Sequence, residues 1–163
     1  MGLSVPAVVE NDANSAAWGE YCTGAGIGAR TLLLATVGTG IGGGAVIDGE
    51  LLRGPSGGAM ELGHIILERS GRSCNCGLVG CVEAYAGGWG MAAEWGRRRD
   101  LDESPGVSQL VQAGIAGDAL ANQILDEGAH ALGAGMMSAL HLLNPDVVVI
   151  GGGIIDARPR QLE

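Results

Sequence analysis

Apolar positions recur along this chain in several rhythms, and each rhythm predicts a different element. The segment TLLLATVGTGIGGGAVIDGELLRG (31–54) predicts an apolar strand, a glycine-rich turn and a second strand. An Asp48-Gly49 hairpin signal and a short third strand complete it. From Asp118 to Leu143 the rhythm is helical, with Leu120, Ile124, Leu132, Met136, Leu140 and Leu143 on the core face. GGWGMAAEWGRRR predicts a shorter helix, and RRRDLDESPG a solvated loop. VPAVVENDAN reads as a strand running into a turn, and ANSAAWGEYC as a helix capped by Asn11 or Asp12. HIIL (64–67) predicts a short strand after an irregular loop. NPDVVVIGGGI predicts a strand buried on both faces of an α/β sheet and ending in glycines.

Composition narrows this picture. At 163 residues the chain suits one domain, or part of a larger one, with a core that needs no disulfides. Its 31 glycines imply many close backbone approaches. There is no lysine, so no P-loop lysine is available for phosphates. A formal charge of −9 with no basic stripe argues against nucleic-acid binding by this segment. No apolar run approaches the roughly 20 residues of a membrane span and no leader opens the chain, so it reads as soluble and cytoplasmic. Clustered cysteines in that setting favour metal or redox chemistry over disulfides.

Three of the four cysteines, Cys74, Cys76 and Cys81, fall within eight residues, shortly after His64. Together they make the Cys3His set that structural zinc takes, with Gly77 and Gly80 easing the backbone around an ion. The alternative is three buried or redox-active thiols. Cys22, His130 and His141 are expected to be structural, the thiol buried. Glu61 lies three residues before His64 and Glu83 two after Cys81, so closing a metal loop brings two carboxylates toward one place. That favours a polyhydroxylated ligand held by charge-assisted hydrogen bonds.

VGTGIGGG (37–44) offers backbone N–H groups and the Thr39 hydroxyl, the parts of a phosphate cradle. It leads into a strand, which excludes the Rossmann and Walker fingerprints. A plain glycine-rich hairpin is the equal alternative. VVVIGGGI (147–154) is a second such element, open to a nucleotide base or ribose. Asp12 divides evenly between helix capping and a carboxylate that accepts the proton of an attacking hydroxyl.

In order, ENDAN (10–14), VGTGIGGG (37–44), ELGH (61–64), CNCGLVGCVE (74–83) and VVIGGGI (148–154) resemble the ROK family of sugar kinases and sugar-responsive repressors. The likeness runs from about Val5 to Ile155 and looks closest to that family's bacterial glucokinases. It implies an α/β, actin-like ATPase (ribonuclease H-like) fold with the sugar between two lobes. It also implies ATP-dependent phosphorylation of a hexose, most simply glucose, at its 6-hydroxyl. By motif, Asp12 matches the catalytic base and Asn11 a sugar contact. Glu61 and Glu83 match sugar-binding carboxylates, and His64 both a zinc ligand and a sugar contact. Cys74, Cys76 and Cys81 match the other zinc ligands. Thr39 and Gly40 match the phosphate loop, and Gly151, Gly152 and Gly153 the adenosine-side turn. The implied cofactors are structural Zn2+, ATP and Mg2+, and family members usually pair or form tetramers.

The family's opening Asp-x-Gly-Gly-Thr element is missing from these residues. Residues 1–163 therefore read as a partial kinase domain, mostly its carboxy-terminal lobe with a zinc loop. Such a piece is expected to phosphorylate sugar poorly by itself. Kinases for N-acetylmannosamine, N-acetylglucosamine or fructose are the nearest alternatives. A sugar-sensing repressor is the second class, and a ligand-free zinc module the third. Asp12 and the two nucleotide turns favour the kinase.

Overall fold

The computed structural model describes residues 5–157. Helix α1 (Asp12–Thr23) leads into a β-meander of β1 (Thr31–Val37), β2 (Ile41–Ile47) and β3 (Glu50–Leu51). After a 3-10 turn at Leu62–His64 come α2 (Glu83–Ala86), α3 (Gly88–Arg98), α4 (Val107–Ile115) and α5 (Ala119–Leu143). Strand β4 (Val147–Gly151) and helix α6 (Gly153–Ala157) close the pattern. The sheet order is β3-β2-β1-β4, antiparallel within the meander and parallel between β1 and β4.

β1 is the central strand, and its continuous apolar run is explained by burial on both faces. Leu32 and Leu34 pack with Ala17 of α1 and with Val46. Leu33, Ala35 and Val37 point the other way, into the core built by α2 to α5. Full burial of a leucine such as Leu32 or Leu33 is worth roughly 1.5–3 kcal/mol. Glycines 43 and 44 set how closely the layers meet. A Cβ on Gly44 would lie 2.7 Å from the Ala17 Cβ, and one on Gly43 2.2 Å from the Met60 carbonyl. The glycine run that suggested a phosphate cradle is thus, past Ile41, a packing device.

The predicted meander and long helix are present. On α5, Ile124, Leu132 and Met136 are buried, while Leu120, Leu140 and Leu143 are partly so. Four expectations need correction. Val5–Glu10 forms no strand, because among the described residues no neighbour pairs with it; Val8 and Val9 are exposed. HIIL gives one isolated bridge, Ile66 to Cys81, since the chain turns at His64 to approach the cysteines. β4 is an edge strand that leaves Val148 40% exposed, not a strand buried on both faces. The arginine run belongs to α3 as far as Arg98, whose guanidinium pairs with Glu94 and Glu127. Among the described residues no helix is long and apolar enough to cross a membrane.

Candidate active site and metal centre

The amino terminus of α1 opens onto a cleft of about 630 Å³. Asn11 is the helix cap, its Oδ1 accepting the Asn14 N–H at 3.0 Å. Capping therefore falls to Asn11, and Asp12, the first helical residue, stays exposed at the cleft wall. The Ala13 N–H donates to Asp12 Oδ1 at 2.8 Å, which orients that carboxylate. Glu10 braces the turn by accepting from the Asn11 N–H and Asn14 Nδ2. The Arg53 guanidinium donates to the other Glu10 oxygen at 2.6 Å and holds its pKa below the ordinary value.

Opposite lies the β1–β2 turn. The Gly38 and Thr39 carbonyls accept the Gly88 and Trp89 N–H groups at 2.9 and 3.0 Å, docking the turn on the start of α3. Its own N–H groups are left to the cleft at Thr39 and Gly40, both lining residues. The Ile41 N–H donates to Glu83 Oε2 at 2.9 Å, and the Trp89 indole Nε1–H donates to Glu83 Oε1 at 3.1 Å. Glu83 is thus pinned at both oxygens, each with a second lone pair free. This needs a glycine at position 40, where a Cβ would stand 2.5 Å from Glu83 Oε2.

His64, Cys74, Cys76 and Cys81 offer ligand atoms that all lie within 4.8 Å of one another. A tetrahedral ion about 2.3 Å from each sulfur sets its sulfurs about 3.8 Å apart. Cys76 Sγ and Cys81 Sγ are 3.7 Å apart, and Cys74 Sγ is 3.8 Å from His64 Nδ1. Burial, then the neighbouring thiols, push Cys81 up to about 12. Crowding three thiols into this space suits a cation that neutralises them, so the donor set is compatible with structural zinc. Tyr85 ties the loop down: its hydroxyl donates to Glu68 Oε2 at 3.0 Å and accepts the Arg72 N–H at 2.9 Å.

Asn11, Asp12, Thr39, Gly40, Glu61, Glu83 and Gly152 therefore line one cleft. Gly153 lines an adjoining cavity of about 390 Å³ that shares Thr39 and is walled by Val107, Ser108, Val111 and Gln112. Gly151 reaches neither; it is paired with Thr36 inside the sheet. His64 belongs to the cysteine cluster and is not among the cleft's lining residues. Cys22, His130 and His141 are exposed, so the buried role expected for Cys22 does not hold. Sequence reasoning missed Trp89, which it placed only as part of a helix. The adjacent Gly87-Gly88 pair was its one signal, marking a helix start open to close approach.

The mixed α/β architecture with its four-stranded sheet is that of solved ROK sugar kinases, which have the actin-like ATPase fold. Residues 2–160 match the ROK family, and the chain belongs to it. It is 40% identical to a glucokinase of Halalkalibacterium halodurans, over 94% of this chain and 50% of that protein. It resembles a ROK family glucokinase from Streptomyces griseus, solved in complex with glucose and AMPPNP, with a TM-score of 0.81 and 36% identity. That match covers 95% of this chain and 55% of the other. A ROK family transcriptional regulator, a homologue of the E. coli MLC protein, matches with a TM-score of 0.82 and 28% identity. There the coverage is 94% of this chain and 40% of the other. The chain thus spans about half the length of the curated glucokinase it matches.

Proposed function

We propose that this chain is the sugar-gripping, largely carboxy-terminal lobe of an ATP-dependent hexose kinase that phosphorylates the 6-hydroxyl, glucose being the first substrate to test. The observation that carries this is the convergence of Asp12, Glu61 and Glu83 on one cleft with the Thr39-Gly40 turn. In this reading Asp12 accepts the proton of the attacking hydroxyl, a contribution worth roughly 10²–10⁴ in rate. Asn11, with Oδ1 committed to the cap, offers Nδ2 to a sugar oxygen. Glu61 and Glu83 accept from sugar hydroxyls, with His64 beside them on the metal loop. The Thr39 hydroxyl and the Thr39 and Gly40 N–H groups cradle the transferred phosphate, and Gly151 to Gly153 form the nucleoside-side turn.

Zinc held by His64, Cys74, Cys76 and Cys81 fixes the span between Glu61 and Glu83. Mg2+, brought with ATP, neutralises phosphate charge in such reactions. We also read the protein as cytoplasmic and as a homodimer or homotetramer.

ATP-dependent ADP release with glucose, N-acetylmannosamine and N-acetylglucosamine tests this on the chain completed by the amino-terminal half of a glucokinase relative. Turnover of one sugar, abolished by Asp12→Asn, is the expected result. A sugar-responsive regulator is the second reading, favoured by the equally close fit to the regulator's fold. Sugar binding by the completed protein, with no ADP release, would put it first.

A further inference from the structure

One residue touches all three parts of the candidate site. The Trp89 backbone N–H donates to the Thr39 carbonyl at 3.0 Å, and its indole Nε1–H donates to Glu83 Oε1 at 3.1 Å. Its side chain packs against the buried cluster of Cys74, Cys81 and Ala84, which holds two of the four candidate ligands. Among the described residues the only donors that reach the Glu83 carboxylate are Ile41 N–H and this indole. Removing a cation from the cluster lets the crowded thiols move apart. A shift of those thiols would move the side chain packed on their cluster, and with it the donor that orients Glu83.

We infer that Trp89 is the positioning residue through which occupancy of the metal cluster sets the grip of Glu83 on its ligand. The role of Glu83 as a sugar contact rests on the reading above; the link from cluster to indole does not. Trp89 acts through Glu83 and need touch neither sugar nor nucleotide. Its peptide N–H stays in place when the side chain is shortened, so a ring-preserving substitution removes the indole donor and leaves the docking of the Thr39 turn.

The test compares the zinc-loaded chain with Trp89→Phe, which keeps an aromatic ring on the cluster and deletes the N–H. Three quantities are read: zinc per chain and the tryptophan emission maximum before and after chelation, both on this chain, and glucose affinity by calorimetry on the chain completed by the amino-terminal half of a glucokinase relative. The wild type should shift to longer wavelength when zinc is removed. Trp89→Phe should still hold one zinc, lose that shift, and bind glucose about tenfold more weakly, the scale of one hydrogen bond to a charged group. An undiminished zinc-dependent shift, or wild-type glucose affinity, in Trp89→Phe overturns the inference. So does loss of zinc, because Trp89 would then be scaffold for the cluster. If the wild type binds zinc but no glucose while the shift still disappears in Trp89→Phe, the sugar reading fails and the cluster-to-indole link stands.

Discussion

Glu94 is 8% exposed on α3 and is surrounded by guanidinium groups. Arg97 donates to both of its oxygens at 2.8 Å, Arg98 Nε donates to Oε1 at 2.6 Å, and Arg72 Nη2 stands 3.6 Å away. Arg98 turns its other edge to Glu127, in two bonds of 2.9 and 2.5 Å. The Arg97 hydrogen bonds, offset in part by burial and reinforced by Arg98, lower the Glu94 pKa from 4.5 to about 2. A carboxylate depressed on folding stabilises the protein above its unfolded pKa and loses that contribution as pH falls toward the folded one. The gap corresponds to about 3 kcal/mol at pH 7 and roughly half of that at pH 3. Glu94→Gln keeps the volume and removes the titration. Urea denaturation of both proteins in matched metal-free buffers should show the mutant less stable by about 3 kcal/mol at pH 7, with the difference roughly halved at pH 3. A difference below about 1 kcal/mol at pH 7, or one that does not change with pH, would refute the reasoning.

The candidate site supports further predictions. Cys76→Ser should lose zinc and lower the melting temperature, because the remaining donors no longer close a tetrahedron; metal content and a thermal scan check this, and one retained zinc with unchanged melting removes the ligand assignment. Gly40→Ala places a Cβ against Glu83 Oε2, so in the completed protein glucose affinity should fall about tenfold while zinc content stays constant, as calorimetry and metal analysis can show. In the completed kinase, Asp12→Asn should reduce kcat by roughly 10²–10⁴ with little change in glucose affinity. A comparable loss in affinity instead would make Asp12 a binding group.

The meander, the long helix and the site motifs were legible because each rests on short-range rules. β1 alternates little since both faces are buried, Asp48-Gly49 adopts the hairpin, and Asn11 caps α1 through its own neighbour at position 14. The cysteines and His64 were legible as a group because ligand chemistry tolerates few other sets. Features that failed depend on what packs against what. VPAVV has strand composition, but the described residues offer it no partner, and VVVIG has the composition of a buried strand yet lies at a sheet edge. Charge pairing was equally hidden: the arginine run looked solvated until α5 brought Glu127 to Arg98.

The sequence by itself determined the local elements, the donor set and the residue types of the cleft, because spacing along a backbone specifies hairpins, caps and chelating loops. Only the tertiary structure decided that Gly40 makes room for Glu83, that the Ile41 N–H pins Glu83, and that Trp89 docks on the Thr39 turn. Those outcomes turn on distances between segments remote in the chain, and no local spacing encodes them.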